Sequence, residues 1–394
     1  MKVAVASGGN IPSMFANSIN TIRHADAFQK LGHQVEFYTV LRKNEKSFLK
    51  KINLQKHYNV EPLKMHFQKD HSLFFYNNNI LFQKVIFFLE KIFGEKFLGR
   101  SNAEKKISKK LSNQALDLCY SRSYFVAINN IKYGIPTVLE THASSPSTIS
   151  ELVELSKLSN SDYLVGIVTI HEKIKHELSV LGFDEEKIIV LEDAVQECYF
   201  NEIEKHKKIN SFKKQTKKTI TYIGSLKQGK GISKIISISN ELKHKKDITF
   251  QIIGGSDSEI KKIKKKYLIG KNINFVGFIP GQEVPKFLAS SDLLLLLYDL
   301  NEKNPVMDYS TTSPIKLFEY MSSGVPILAS KIPTIEKIVK NNDILIFEND
   351  HVSSQIIDIL SDKKYLEYGK NAIELAKEFT YEKRVQNIIS NISF

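Results

Sequence analysis

Short apolar runs alternate with helical patterns along this chain, and the alternation predicts the fold. Near the N-terminus KVAVAS (2 to 7) reads as a buried strand and SGGN interrupts it; apolar positions at Ile22, Ala25, Phe28 and Leu31 then recur at helical spacing as far as Gly32. QVEFYTV (34 to 40) resumes a strand. Strand, glycine turn, helix and strand in this order form a βαβ unit, whose right-handed crossover makes the two strands parallel. Similar runs stand at LDLCYS (116 to 121), GIPTVLET (134 to 141) and YLVGIVTI (163 to 170), and IIVLEDAV (188 to 195) reads as the last strand of the series.

The polar, lysine-rich stretch from Asn201 to Lys218 breaks the pattern and reads as a linker. A second series follows: TITYIGS (219 to 225), ITFQIIGG (248 to 255), INFVGF (273 to 278), DLLLLLY (292 to 298) and PILAS (326 to 330), with helical segments between. The expected architecture is therefore α/β, with two parallel-sheet, Rossmann-like domains over residues 1–198 and 199–377. Residues 378–394 form a terminal helix whose Val385, Ile388, Ile389 and Ile392 have the spacing of a buried face. The default ligand site of such a pair is the cleft between the domains, because open α/β sheets bind beyond the carboxyl ends of their strands.

Composition narrows the function classes. Of 394 residues, 42% are hydrophobic and 25% charged, as expected of a folded globular chain. Two cysteines, Cys119 and Cys198, build neither a disulfide framework nor a clustered thiolate zinc site, which fits a reducing cytoplasm. The start lacks the apolar core of a signal peptide, and no run reaches the ~20 apolar residues that span a bilayer. A net charge of +13 asks for an acidic partner: nucleic acid, anionic lipid or a phosphorylated ligand. No nucleic-acid motif accompanies the charge.

Two segments carry candidate chemistry. In SPIKLFEYMSSGVPILAS (313 to 330), Ser313 suits an N-cap, Pro314 the first helical position, and Ile315 and Lys316 would offer backbone N–H groups to an anion. Glu319 lies near enough to accept hydrogen bonds from a ribose diol. The same spacing equally fits a capped amphipathic helix with a salt-bridged glutamate. In YIGSLKQGKGISKII (222 to 236), a strand ends at glycine, a loop carries Lys230 and Gly231 opens a helix, so an ammonium joins a second helix start.

The order G-S-L-x-x-x-K-G at 224 to 231, VGFIPGQEVPKFLASSDLLLLLY at 276 to 298 and SPIKLFEYMSSGVPILAS resembles glycosyltransferase family 4, the retaining, nucleotide-sugar-dependent enzymes of the GT-B fold. The resemblance covers most of the C-terminal half and, more loosely, the N-terminal half. It implies that Lys230 contacts the donor diphosphate, that Glu319 is the second glutamate of a Glu-x7-Glu pair and binds the ribose, and that Gly255, Phe278 and Ile279 line the base pocket. Gly8 and Gly9 match the family's glycine loop, and LETHA (139 to 143) its active-site histidine segment, so that His142 would contact the donor sugar. The sequence departs from the pattern at Ser225, where the family usually has arginine, and at Thr311, where the first glutamate falls. The resemblance also implies that the terminal helix packs back on the first domain.

The chemistry so implied moves a hexose from a nucleotide diphosphate sugar, a UDP-sugar foremost, to an acceptor hydroxyl. Lys230 and the helix start at Ile315 and Lys316 would stabilise the departing diphosphate without a metal or other cofactor, in keeping with the lack of a convincing Asp-x-Asp motif. No covalent protein nucleophile is expected. Residues 80–110 combine Phe82, Ile86, Phe87, Phe88, Leu89, Ile92, Phe93 and Phe97 with eight Lys plus Arg. They read either as a core helix followed by a solvated basic one, or as a segment lying in a membrane interface through Lys84, Phe87, Phe88, Lys91 and Arg100. The second reading puts the enzyme on the inner face of the cytoplasmic membrane, with a lipid or lipid-linked glycan as acceptor. Two other classes compete: a non-catalytic nucleotide-sugar-binding or regulatory protein of the same fold, kept open by Ser225 and Thr311, and a nicotinamide-dependent oxidoreductase, for which SGGN lacks the full G-x-G-x-x-G spacing.

Overall fold

The computed structural model of the chain describes residues 1–8, 11–13, 16–41, 52–69, 102–142, 149–211, 217–300, 313–339 and 344–392. These form two compact units, one of Met1–Glu192 with Glu382–Phe394 and the other of Asp193–Tyr381.

In the first unit β1 (Lys2–Ser7), β2 (Gln34–Leu41), β3 (Lys64–Lys69), β4 (Leu118–Ser121), β5 (Thr137–Glu140), β6 (Leu164–Thr169) and β7 (Ile188–Val190) form one sheet in the order β3-β2-β1-β4-β5-β6-β7. Every pairing is parallel. Helices cover the central strands on both faces, which is why β1, β4, β5 and β6 are almost wholly buried and read as continuous apolar runs. The helix Ala16–Lys30 buries Ile22, Ala25 and Phe28, as its periodicity predicts. Strand order reverses between β1 and β4, and such a reversal opens a crevice at the carboxyl ends of the strands.

The second unit repeats the plan. Strands β8 (Lys218–Ile223), β9 (Ile248–Ile253), β10 (Ile273–Gly277), β11 (Leu293–Leu296), β12 (Ile327–Ala329) and β13 (Ile346–Phe347) pair in parallel in the order β10-β9-β8-β11-β12-β13, reversing between β8 and β11. Successive side chains of a strand face opposite ways. Leu294 and Leu296 accordingly pack with Tyr199, Ile203, Phe318 and Met321, whereas Leu293 and Leu295 pack with Ile235, Phe250 and Ile356.

Two sequence expectations need correction here, and one strand had gone unread. The polar stretch read as a linker is in large part the helix Cys198–Ser211, and it belongs to the second unit. Tyr199 and Ile203, four residues apart, are fully buried, Cys198 and Phe200 pack beside them, and Lys207 donates to the Ser323 carbonyl at 2.6 Å, while Glu204, Lys205 and Lys208 stay in water. IIVLEDAV is a strand only over Ile188–Val190, because the backbone leaves the sheet after it. KMHFQK, which has no apolar run, is an edge strand stabilised on one side by β2 and left half-exposed.

The terminal helix Tyr381–Asn391 and the residue after it close the first unit. Val385 and Ile388 are fully buried, and a Cβ placed on Gly166 of β6 would lie 2.9 Å from an Ile392 methyl carbon, so the bare glycine admits this side chain. No helix among the described residues is long and apolar enough to cross a membrane. Of the aromatic, basic segment, the described part is the helix Asn102–Leu111, which buries Ala103, Ile107 and Leu111 and turns Lys105, Lys106, Lys109 and Lys110 to solvent. Lys84, Phe87, Phe88, Lys91 and Arg100 lie outside the described residues.

A helix held by a few buried side chains depends on each of them. Ile203→Ala should lower the stability of the second unit by about 2 to 4 kcal/mol, the cost of an unfilled apolar site. Glu204→Ala on the solvent face should change it by less than about 0.5 kcal/mol. Urea unfolding of the two variants tests this; equal midpoints would return the segment to the status of a linker.

Candidate functional site

At the reversal between β8 and β11, three groups that the sequence keeps far apart are tied together. Tyr320, on the helix Ile315–Met321, accepts a hydrogen bond from the Ile223 N–H at 2.7 Å and donates to the Ile223 carbonyl at 3.3 Å, pinning that helix to the end of β8. Tyr222 donates from its hydroxyl to the Ser225 carbonyl at 2.7 Å and accepts from Lys316 Nζ at 2.9 Å. The Lys316 ammonium also stands 4.3 Å from the centre of the Tyr222 ring. A Cβ on Gly224 would fall 1.8 Å from that ammonium nitrogen, so glycine is what leaves room for it. Gly254, with φ of 119°, lets β9 turn away where a Cβ would stand 2.0 Å from the Gly224 carbonyl oxygen.

Lys230 reaches the same crevice from the loop after β8, its Nζ 5.4 Å from the centre of the Tyr298 ring beyond β11. Burial, with Lys227 nearby, pulls its pKa down to about 8. Burial and then the Lys230 charge hold Lys316 well below the ordinary lysine range, against the opposing pull of Glu319. Among the described residues neither ammonium forms an ion pair with a carboxylate. Two partly buried cations that repel each other make a site whose natural complement is a polyanion.

Glu319 lies one turn beyond Lys316 and is buried, with the Tyr199 hydroxyl 3.5 Å from Oε1. Gly255, Phe278 and Ile279 follow the neighbouring strands β9 and β10, joined where the Gly254 N–H meets the Gly277 carbonyl at 2.7 Å. Phe278 is exposed, and Ile279 packs against the core. Ser225 is exposed, and its carbonyl, bonded to Tyr222, fixes the loop.

Two local readings change. Ser313 is not the cap of its helix: Pro314 occupies that position without a side-chain bond, and the Ser313 hydroxyl accepts from the Asp193 N–H at 3.0 Å. Proline's fixed φ and missing N–H suit the extended cap position as well as the first turn. The start of the helix Ile232–Glu241 already holds an anion of the protein's own. Asp299 accepts from the Gly231 N–H at 3.2 Å and from the Ser233 hydroxyl at 3.0 Å. The cationic groups the site offers are thus the two lysine side chains. Gly9 and Thr311 lie outside the described residues.

Residues 202–379, nearly all of the second unit, match the family model described as Glycosyl transferases group 1. The second unit is thus similar to a glycosyltransferase domain. Among curated proteins none matches this sequence. Among solved structures, HepE of Anabaena in complex with UDP and glucose is similar over 99% of this chain and 99% of its own, at 14% identity and a TM-score of 0.66. A glycosyltransferase of Rickettsia africae is similar over 99% of this chain and 98% of its own, at 16% identity and a TM-score of 0.64. WaaG, a glycosyltransferase involved in lipopolysaccharide biosynthesis, is similar over 98% and 99%, at 13% identity and a TM-score of 0.61. At these identities the likeness shows the fold, and the two Rossmann-like units are those of GT-B glycosyltransferases.

The first unit has its own crevice between β1 and β4, which Gly8 borders directly after β1. A Cβ there would collide with Glu104 Oε1, which accepts from the Ser123 hydroxyl at 2.8 Å. His142 follows β5 and is half-buried, its Nε2 bonded to Glu140 Oε1. Sequence reasoning singled out His142 and passed over Glu140, which is the centre of this crevice. Its carboxylate is buried, with Arg122 Nη1 at 3.5 Å, Arg384 Nη2 at 3.5 Å, Asn20 Nδ2 at 3.5 Å and His24 Nε2 at 3.6 Å. Burial drives the His24 pKa down to about 3, and its Nδ1 faces the Asn20 carbonyl at 2.8 Å, so this ring is neutral and carries its proton on Nδ1. The available signal was an acidic residue closing an apolar strand, since a buried carboxylate requires partners.

A site holding depressed lysines should take up protons when an anion enters, because the anion favours the charged forms. Calorimetry of pyrophosphate binding at pH 8, in buffers of different ionisation heat, should show net proton uptake. Affinity should fall as pH rises through about 8, where Lys230 loses its charge. Lys230→Arg should flatten that fall, since guanidinium stays charged. Binding without proton uptake would contradict the paired-cation description.

Proposed function

We propose that the chain is a retaining glycosyltransferase that moves a hexose from a UDP-sugar to a hydroxyl of a membrane lipid or lipid-linked glycan, without a metal. The observation that carries this reading is the pair of partly buried ammonium groups, Lys230 and Lys316, at the strand-order reversal of a unit similar to glycosyltransferase domains. The bond between the sugar's anomeric carbon and the diphosphate oxygen breaks, charge collects on the departing diphosphate, and both lysines stabilise it more as that charge grows. The acceptor oxygen bonds to the anomeric carbon on the face the diphosphate leaves, and its proton passes to a leaving phosphate oxygen. Lys316, seated against Gly224, supplies beside Ser225 the second cation that the family usually draws from arginine. Glu319 accepts from the ribose hydroxyls, Gly255, Phe278 and Ile279 border the base, and His142 hydrogen-bonds the transferred sugar.

UDP and glucose bound to HepE support the choice of donor, and the lipopolysaccharide role of WaaG supports a lipid-linked acceptor. The aromatic, basic segment through Lys84, Phe87, Phe88, Lys91 and Arg100 supports attachment to an anionic membrane face.

Lys230→Ala and Lys316→Ala should each lower transfer from a UDP-hexose on the order of 100-fold, as loss of one charge-stabilising donor does elsewhere. Glu319→Ala should weaken UDP about tenfold, one hydrogen-bonded charged contact, while leaving pyrophosphate affinity unchanged. Titration and product mass spectrometry with lipid extracts check both. Nucleotide binding with no turnover over a panel of sugars and acceptors would instead make the chain a non-catalytic binder. Replacing Lys84, Lys91 and Arg100 by glutamine should release the protein from anionic vesicles in co-sedimentation, and undiminished binding would remove this segment as the anchor.

A further inference from the structure

Lys230 stands between two glycines, Gly229 with φ of 82° and Gly231 with φ of 72°, so the backbone on either side of it has a conformation that other residues avoid. Such a stretch is loose unless groups outside it take up its hydrogen bonds. Asp299 does so on both sides. Its N–H donates to the Gly229 carbonyl at 3.2 Å, and its carboxylate accepts from the Gly231 N–H at 3.2 Å and from the Ser233 hydroxyl at 3.0 Å. A Cβ on Gly231 would collide with the Leu297 carbonyl oxygen, so this glycine lies directly against the chain that leads to Asp299. Tyr298, next to Asp299, places its ring 5.4 Å from Lys230 Nζ.

The end of β11 is in turn tied to the helix that follows Lys230. The Tyr298 N–H donates to Ser330 Oγ at 2.9 Å, that hydroxyl donates to Glu348 Oε1 at 2.5 Å, and Lys234 Nζ donates to both Glu348 oxygens at 2.9 Å. Lys234 is in the first turn of the helix Ile232–Glu241. The loop of Lys230 is thereby fastened before and after the lysine to one rigid strand end. Asp299 forms no ion pair among the described residues. Both its oxygens are engaged at the start of that helix, whose positive end balances the charge.

We infer that Asp299 is a positioning residue for Lys230: by fixing Gly231 and the helix start beyond it, the carboxylate sets where the ammonium meets the phosphates of a bound anion. Position and charge here predict opposite signs. A carboxylate near an anion site repels the anion, so by charge alone its removal should tighten binding. By position its removal frees Gly231, and the ammonium loses its place. The effect on sugar transfer rests on the glycosyl-transfer reading; the effect on anion binding does not.

Calorimetric titration of the full chain with pyrophosphate at pH 7, below the Lys230 pKa of about 8, reads that sign. Asp299→Ala removes both acceptors and the charge. Asp299→Asn removes the charge and keeps one acceptor, because the other end of an amide is a donor. The backbone bond to Gly229 survives in both. Affinity should fall about tenfold in Asp299→Ala, the loss of one ammonium contact, and about threefold in Asp299→Asn. In a Lys230→Ala background only the charge effect is left, so Asp299→Ala should leave binding unchanged or tighten it. For transfer from a UDP-hexose, Asp299→Ala should lower kcat on the order of 10- to 100-fold, with a smaller rise in KM, because the diphosphate gains its charge only as it departs. Unchanged or tighter pyrophosphate binding in either single variant would overturn the inference, and so would a loss that persists in full without Lys230. If Asp299→Ala does not fold, the sign of the change in Asp299→Asn decides. Wild type that binds no pyrophosphate would also overturn it. If wild type binds pyrophosphate and transfers no sugar, the functional reading fails while the titrations still judge Asp299.

Discussion

Two ammonium groups within each other's field and partly withdrawn from water raise the free energy of the second unit, and much of the architecture around β8 and β11 serves to keep them there. Each loses hydration and each has another lysine close by, Lys227 for Lys230 and Lys230 for Lys316, so that both are driven toward the neutral form. What holds Lys316 in this position is specific. The phenol of Tyr222 gives it an oxygen and a ring face, Gly224 gives it space, and Tyr320 fixes its helix to the strand that carries Tyr222. Remove any of these and the ammonium can swing toward solvent, where it costs nothing.

The two crevices at the strand-order reversals solve the burial of charge in opposite ways. In the first unit a single carboxylate is surrounded by guanidinium and imidazole groups of the same unit, so its charge is balanced internally. In the second, Asp299, which caps a helix next to Lys230, is spent on the Gly231 and Ser233 donors. Among the described residues the two lysines form no ion pair, and Glu319 offsets Lys316 only from a distance. A buried ion pair is stable on its own, whereas like charges brought together require a partner.

The sequence made the sheets legible because central parallel strands are buried on both faces and so appear as uninterrupted apolar runs, as in KVAVAS and DLLLLLY. It concealed β3, an edge strand with one dry side, and the helix Cys198–Ser211, whose core contacts lie at its start, from Cys198 to Ile203. Lys230 and Glu319 stood out as candidates because a glycine turn and a helix start are local patterns. The side chain of Lys316 could not be placed, since its position depends on Tyr222, 94 residues away. Asp299 as a cap and Arg384 as the partner of Glu140 were hidden for the same reason, the latter across 244 residues. Propensity and periodicity describe neighbours along the chain, and these groups meet only through the sheet.

The first unit is discontinuous in the chain, and this bears on how the protein comes into being. Its sheet is complete once β7 has been made, yet the groove over Gly166 and the counter-charge for Glu140 are filled by Ile392 and Arg384. Domains generally fold as units in the order in which they leave the ribosome. Here the earlier one must wait, with an apolar groove open and a carboxylate short of one guanidinium, while the whole of the later one is synthesised. A segment made after the second unit therefore completes what was begun before it.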